Sequence, residues 1–167
     1  MNDQLTAHDI QRMQEEIEHR KTVVRTECLE ALKEARAQGD LSENFEYHAA
    51  KRAKNQNESR IRYLERMIKT ARVVDDSSAD DEVGINNTIT VEFEDDHEVQ
   101  DFKIVTTVRV DTINGLVSIE SPIGKAMLGH KVGDRCYVEI QPGDGYYLII
   151  RAIDKSTDDS NDRIRNY

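Results

Sequence analysis

Neither proline nor glycine occurs between residues 6 and 38 or between residues 43 and 72, and Gly39 stands in the gap. Those two residue types are the strongest helix breakers, so two long clean runs predict two long helices. A connection of only a few residues can do little but turn the chain back on itself. The expected result is an antiparallel helical hairpin. At ~1.5 Å per residue, about 33 helical residues give an arm roughly 50 Å long.

The apolar spacing agrees. Ile10, Met13, Ile17, Val24, Leu32 and Ala35 follow an approximate three-four repeat, with Arg20 and Cys28 at weaker seam positions. Ala50, Ala53, Asn57, Ile61, Leu64, Ile68 and Ala71 form the returning seam. Such paired seams are those of an antiparallel coiled coil. Ala31, Ala35, Ala49, Ala50 and Ala53 would permit close approach near the turn, and Asn57 reads as a register or hydration feature. A narrow polar arm buries little, so its length calls for a reason, and reach supplies one.

The turn carries Asp40 and Glu43. One reading is a capping box, with Asp40 as N-cap, Glu43 three residues on, and Gly39 as the C′ residue ending the first helix. The other is a carboxylate pair for a hard cation such as magnesium, which takes oxygen ligands and often only one or two carboxylates. Two ligands do not close a site. A partner would have to complete it.

Charge is distributed unevenly. Residues 1–50 carry 6 basic and 11 acidic side chains, residues 51–72 carry 8 and 2, and residues 73–167 carry 9 and 20. A net charge of −10 argues against general nucleic-acid binding, whereas one basic helix in an acidic chain is a directional feature. The competing reading pairs that helix across the hairpin with Glu15, Glu16, Glu18, Glu27, Glu30 and Glu34.

After residue 75 the pattern changes. Asp75 to Glu82 is acidic and Ser-rich, as in a linker. Alternating apolar positions then predict strands at 88–93, 102–110, 116–120, 135–140 and 146–153. Asn114-Gly115 and Gly143-Asp144-Gly145 read as hairpin turns, and Asp95, Asp96 and Glu98 as a hairpin loop. Ser121 as N-cap, Pro122 at the first helical position and Gly129 as terminator predict one short helix. The two cysteines, Cys28 and Cys136, fall in different domains and suggest no disulfide framework. Five histidines show no metal-ligand spacing. No run approaches the ~20 apolar residues of a membrane span and no leader is evident at the N-terminus, so a cytoplasmic location is expected.

Two blocks carry a family resemblance. Gly39-Asp40-Leu41-Ser42-Glu43-Asn44 with Glu46-Tyr47 and Ala49-Ala50 resembles the tip of the Gre family of bacterial transcript cleavage factors. Ser121-Pro122-Ile123-Gly124-Lys125-Ala126, Leu128-Gly129 and Val132-Gly133-Asp134 resemble that family's second domain. Both stand in the family's order, and the resemblance covers roughly residues 5 to 154, leaning to the GreA-like type. Phe45 departs from it, since the family more often has a small residue there, and so does the tail beyond Ile153.

The resemblance implies a two-domain α+β protein. Residues 1–75 would form the coiled-coil arm with an acidic tip at 39–46, residues 76–83 an acidic linker, and residues 84–154 a domain like the FK506-binding proteins. Residues 155–167 are expected to be disordered. That fold raises prolyl isomerase activity, but the domain has no Trp and only Phe93, Phe102, Tyr137, Tyr146 and Tyr147 to line a proline pocket. The implied function is to bind bacterial RNA polymerase through its secondary channel and stimulate cleavage of backtracked transcripts. The protein would be an accessory factor, not an enzyme in isolation.

In that reading Asp40 and Glu43 help hold a second Mg2+, present only in the complex with polymerase. Ser42 and Asn44 shape the tip. Arg52, Lys54 and Tyr47 meet the 3′ end of the nascent RNA, and Ser121, Pro122 and Ile123 dock on the polymerase. A monomer is expected. The alternatives are a channel-occupying regulator that inhibits polymerase, and a structural coiled coil that dimerises through its arm.

Overall fold

The computed structural model describes residues 3–39 and 44–166. The chain forms two compact units, one built on His8–Arg72 and the other on Val73–Tyr167 with Gln4–Ala7.

In the first unit, α1 (Ala7–His19) leads through a π-helical stretch, Arg20–Val24, into α2 (Arg25–Ala37), and α3 (Phe45–Thr70) returns. The hairpin is the one predicted. The π-helical stretch is not, and its causes are local. Thr22, Val23 and Val24 are β-branched and crowd the helix. The Thr22 and Thr26 hydroxyls donate to the carbonyls of Glu18 (2.8 Å) and Thr22 (3.0 Å), four residues back. Arg25 N–H then donates to the carbonyl of Arg20, five residues back. The wider turn re-phases the seam, so Val24, Cys28, Leu32 and Ala35 continue a face begun by Ile10, Met13 and Ile17. Met13, Leu32, Ala35, Ile61, Leu64 and Met67 are buried along it.

Three alanines behave differently from expectation. Ala31, Ala49 and Ala53 are exposed, and Lys54 rather than Ala53 takes the half-buried place on the inner side of α3. Spacing explains the exchange, because 47, 50, 54, 57 and 61 keep the three-four alternation and 53 does not.

Polar groups fix the alignment of the two arms. Asn57 is buried; its Nδ2 donates to the Arg20 carbonyl at 3.2 Å, and its Oδ1 accepts from Arg20 Nη1 at 3.1 Å. Glu16 accepts from Arg20 Nε and Arg60 Nε, both at 2.8 Å. Arg25 grips Glu58 with two hydrogen bonds of 2.7 and 2.9 Å, and Lys21 meets Glu65 at 2.7 Å. Pairing across the hairpin therefore exists, and the acids and bases come from both helices. Burial and two arginines act on Glu16 in opposite directions. Burial would raise its pKa, and the hydrogen bonds from Arg60 and Arg20 outweigh that and lower it.

Short strands β1 (Gln4–Leu5) and β2 (Arg72–Val73) flank the helical segment in sequence. Val74 N–H donates to the Leu5 carbonyl at 2.9 Å, and Leu5 is fully buried in the second unit. The second unit is a sheet of β3 (Thr88–Phe93), β4 (Val99–Val105), β5 (Leu116–Ser118), β6 (Arg135–Gln141) and β7 (Asp144–Asp154) in the order β5-β4-β3-β7-β6. Ile89, Val91, Ile104, Val138, Leu148 and Ile150 alternate inward and meet Met127 of α4 (Pro122–Met127). Five strands and one short α-helix match the expected α+β architecture.

Three expectations need correction here. The predicted strand 102–110 ends at Val105, and a 3-10 turn, Thr107–Arg109, follows. Asn114-Gly115 is not a hairpin turn, because β4 and β5 run parallel. Instead it closes a second 3-10 turn, with Asp111 accepting from Asn114 N–H and Gly115 left-handed at φ 76°.

The segment expected to be a disordered tail is the third. Through residue 166 it lies against the second unit, held by polar ties. Lys155 Nζ donates to the Glu82 carbonyl (2.7 Å) and to Asn87 Oδ1 (2.9 Å). Thr157 donates to the Asn86 carbonyl, and Arg165 N–H to the Val108 carbonyl at 2.8 Å. Asp162 is buried between Lys103 (3.0 Å) and Arg109 (2.8 Å). The segment's low apolar content predicted disorder, but charge pairing anchors it where apolar burial could not. Val83, placed in the predicted linker, belongs to the core as well.

Candidate functional site

Asp40, Leu41, Ser42 and Glu43 lie outside the described residues. The two helix ends that hold them are described. α2 stops at Ala37, with Gln38 as C-cap and Gly39 at φ 116°, a conformation that L side chains rarely adopt. α3 starts at Phe45, and Asn44 is its N-cap, with Oδ1 accepting from Tyr47 N–H at 3.0 Å. The capping reading, which put the N-cap at Asp40, is thus corrected to Asn44. An amide directly before Phe45 was the available signal.

Asn44 also reaches the other helix. Its Nδ2 donates to the Ala35 carbonyl at 2.7 Å, which accepts from Gln38 N–H as well at 3.2 Å. One side chain therefore satisfies an orphan donor of α3 and adds a second bond to a carbonyl in the last turn of α2. Asn44 thus ties the start of α3 to the last turn of α2.

Beyond the cap, the residues on α3 separate by face. Tyr47 is half-buried toward α2, with the Arg36 guanidinium 5.7 Å from its ring centroid and His48 edge-on at 5.5 Å. Lys54 is half-buried on the same side and helps hold the Glu58 carboxyl low, after the dominant hydrogen bond from Arg25. Arg52 is exposed, and neither it nor Lys51 makes an ion pair among the described residues. Arg60, farther along the same helix, is buried against Glu16.

The second predicted contact region is built as expected. Ser121 caps α4, accepting from Gly124 N–H at 3.1 Å and donating its hydroxyl to the Ser118 carbonyl at 2.6 Å. Pro122 is exposed, and Ile123 packs against the core. Gly124 is obligatory on steric grounds, since a Cβ would stand 2.0 Å from the Ser118 carbonyl oxygen.

Among the described residues, no group of three or more His, Cys, Asp and Glu side chains could hold a metal. Both cysteines are free, and burial pushes the Cys136 thiol up to about 11, out of the range of a nucleophile at neutral pH. No described helix is long and apolar enough to cross a membrane.

A helical hairpin followed by a five-stranded unit defines a two-domain α+β protein. Residues 3–73 match the family described as Transcription elongation factor, N-terminal, and residues 78–154 match Transcription elongation factor, GreA/GreB, C-term. The chain belongs to the GreA/GreB family of transcription elongation factors.

Individual relatives agree. Transcription elongation factor GreA of Thermoanaerobacter pseudethanolicus is 45% identical over 140 residues, covering 83% of this chain and 89% of the relative. Transcription elongation factor GreA of Bacillus subtilis is 36% identical over 147 residues, covering 88% and 94%. Among solved structures, Gfh1 of Thermus thermophilus is 24% identical over 92% of this chain and 99% of that one, with a TM-score of 0.43. The GreA/GreB factor of Nitrosomonas europaea is 28% identical over 56% and 78%, with a TM-score of 0.39. Both structural likenesses are too loose to add to the family assignment.

Proposed function

We propose that the chain binds bacterial RNA polymerase, enters its secondary channel with the helical arm, and stimulates the polymerase's own cleavage of backtracked RNA. The observation that carries this reading is the position of the cap. Asn44 is the N-cap of α3, which favours the metal-ligand reading of Asp40 and Glu43 over the capping one. What supports a transcriptional role is membership of the family through both of its domains.

Asp40 and Glu43 offer two hard oxygen donors, which fit a shared magnesium site and not a closed one. Polymerase and RNA would complete it. When bound there, the ion supplies Lewis-acid activation of water and neutralises charge on the leaving oxygen. The chain's own contribution is position. Asn44 ties the start of α3 to the last turn of α2, Ser42 shapes the acid-bearing connection, and Tyr47 braces α3 against Arg36. Arg52 offers its exposed guanidinium to phosphate, with Lys54 nearby. The protein thus acts as an accessory factor and lends ligands to a reaction that belongs to polymerase.

On this reading the Ser121-Pro122-Ile123 turn docks on polymerase. Replacing Pro122 and Ile123 with Asp should weaken binding to polymerase by at least tenfold in a direct titration. Binding equal to wild type removes that contact. Cleavage of backtracked transcripts by polymerase, measured with and without the factor, tests the function itself. Inhibition without cleavage would assign the chain to channel-occupying regulators.

A further inference from the structure

We infer that Phe45, exposed at the first position of α3, stacks against an unpaired base of the displaced 3′ RNA segment whose backbone the proposed function gives to Arg52. This rests on the proposed function and adds a positioning residue to it.

Phe45 is 87% exposed, the most of any Phe or Tyr among the described residues. It occupies the first helical position after Asn44. Among the described residues no ring or guanidinium lies against it.

Helical spacing sets Phe45 and Arg52 on one face. Positions 45, 48, 49, 52 and 56 fall within about 60° either side of one line at ~100° per residue. They carry Phe, His, Ala, Arg and Gln, all exposed, and no acid. The seam residues Tyr47, Ala50, Lys54 and Asn57 lie on the opposite side. Arg52 stands two turns below Phe45, roughly 10 Å along the axis.

An exposed aromatic followed along one face by an imidazole and an exposed guanidinium is a combination that suits single-stranded nucleic acid. Bases stack on the ring, and the cation meets the backbone. The tip's own acids sharpen the choice. Carboxylates repel phosphate, so the group that can approach Phe45 closely is a base face, which carries no net charge. Stacking is tolerant of sequence because every base presents a π-face. Phe45 would hold the 3′ segment while Asp40 and Glu43 reach the phosphodiester to be cut.

The test uses the full chain with a stalled, backtracked polymerase complex carrying 2-aminopurine near the RNA 3′ end. Phe45→Ala, Phe45→Leu and Phe45→Trp are compared with wild type. Phe45 is exposed, so all three should fold, which circular dichroism checks. Ala and Leu should each raise the factor concentration for half-maximal cleavage about tenfold, by loss of one stacked base. They should also abolish the 2-aminopurine quenching that wild type produces. Trp should preserve both.

If Ala and Leu match wild type in concentration dependence and quenching, the inference is overturned while the proposed function stands. If Leu alone preserves both, Phe45 is only an apolar contact and the stacking assignment fails. If wild type stimulates no cleavage, the proposed function fails and the inference goes with it.

Discussion

Asn57 and Arg20 hold each other through two hydrogen bonds across the hairpin, one to the Arg20 guanidinium and one to its carbonyl. That carbonyl also accepts the widened-turn bond from Arg25. The partner side chain and the helical irregularity thus meet at one atom. Asn57 reads a backbone feature found nowhere else among the described residues of the first helical run, which makes it a register pin.

Replacing Asn57 with Leu should therefore cost about 1–3 kcal/mol, because it leaves the Arg20 groups without that partner in a buried setting. Thermal unfolding followed by circular dichroism measures it. A hairpin with unchanged midpoint would show that the irregular turn sets the alignment without help.

Glu16 gives the arm a pH dependence. Burial raises its pKa, and Arg60 and Arg20 overcome that, so the folded value lies below the ordinary one of 4.5. A group with a depressed folded pKa contributes stability that is complete above its unfolded pKa and is lost as pH falls through the folded one. Stability should drop below about pH 4.5, and Glu16→Gln should flatten that part of the profile. Helicity measured between neutral and acid pH, at a fixed denaturant concentration, reports it.

Asp162 tests the corrected tail. It is buried between Lys103 and fully buried Arg109, which also donates to Asn86 at 2.7 Å. Removing one partner of a buried ionic cluster costs about 3–5 kcal/mol. Asp162→Ala should lower the unfolding midpoint of the second unit, and truncation after Asp154 should act in the same direction. A truncated chain as stable as the full one would make the ties ornamental.

The architecture was largely legible in the sequence because it depends on patterns that composition can carry. Absence of breakers gave the hairpin. Alternation gave four of the five main strands closely, and Ser121-Pro122 with Gly129 gave α4. What escaped was set by polar atoms acting over distance. The Arg20–Val24 distortion needs the Thr hydroxyls and Asn57 together, and apolar periodicity sees neither. The tail looked disordered by its Asp and Ser content, yet those side chains meet cations up to 59 residues away in sequence. At the site, the capping reading chose Asp40 and passed over Asn44, a residue type that caps equally well. Only the start of α3 at Phe45 decides between them. Exposure of Phe45 likewise depends on where the helix begins, so its departure from the family could be noticed without being explained.

The most direct measurement is cleavage of RNA in a backtracked polymerase complex by wild-type protein and by the double variant Asp40→Asn, Glu43→Gln. Asn44 keeps the helix cap in both, so helicity and polymerase binding should be unchanged. The account predicts that wild type accelerates cleavage and that the folded, bound variant loses at least a hundredfold of that acceleration. Equal acceleration by both proteins would contradict it and leave the acids without a part in the chemistry.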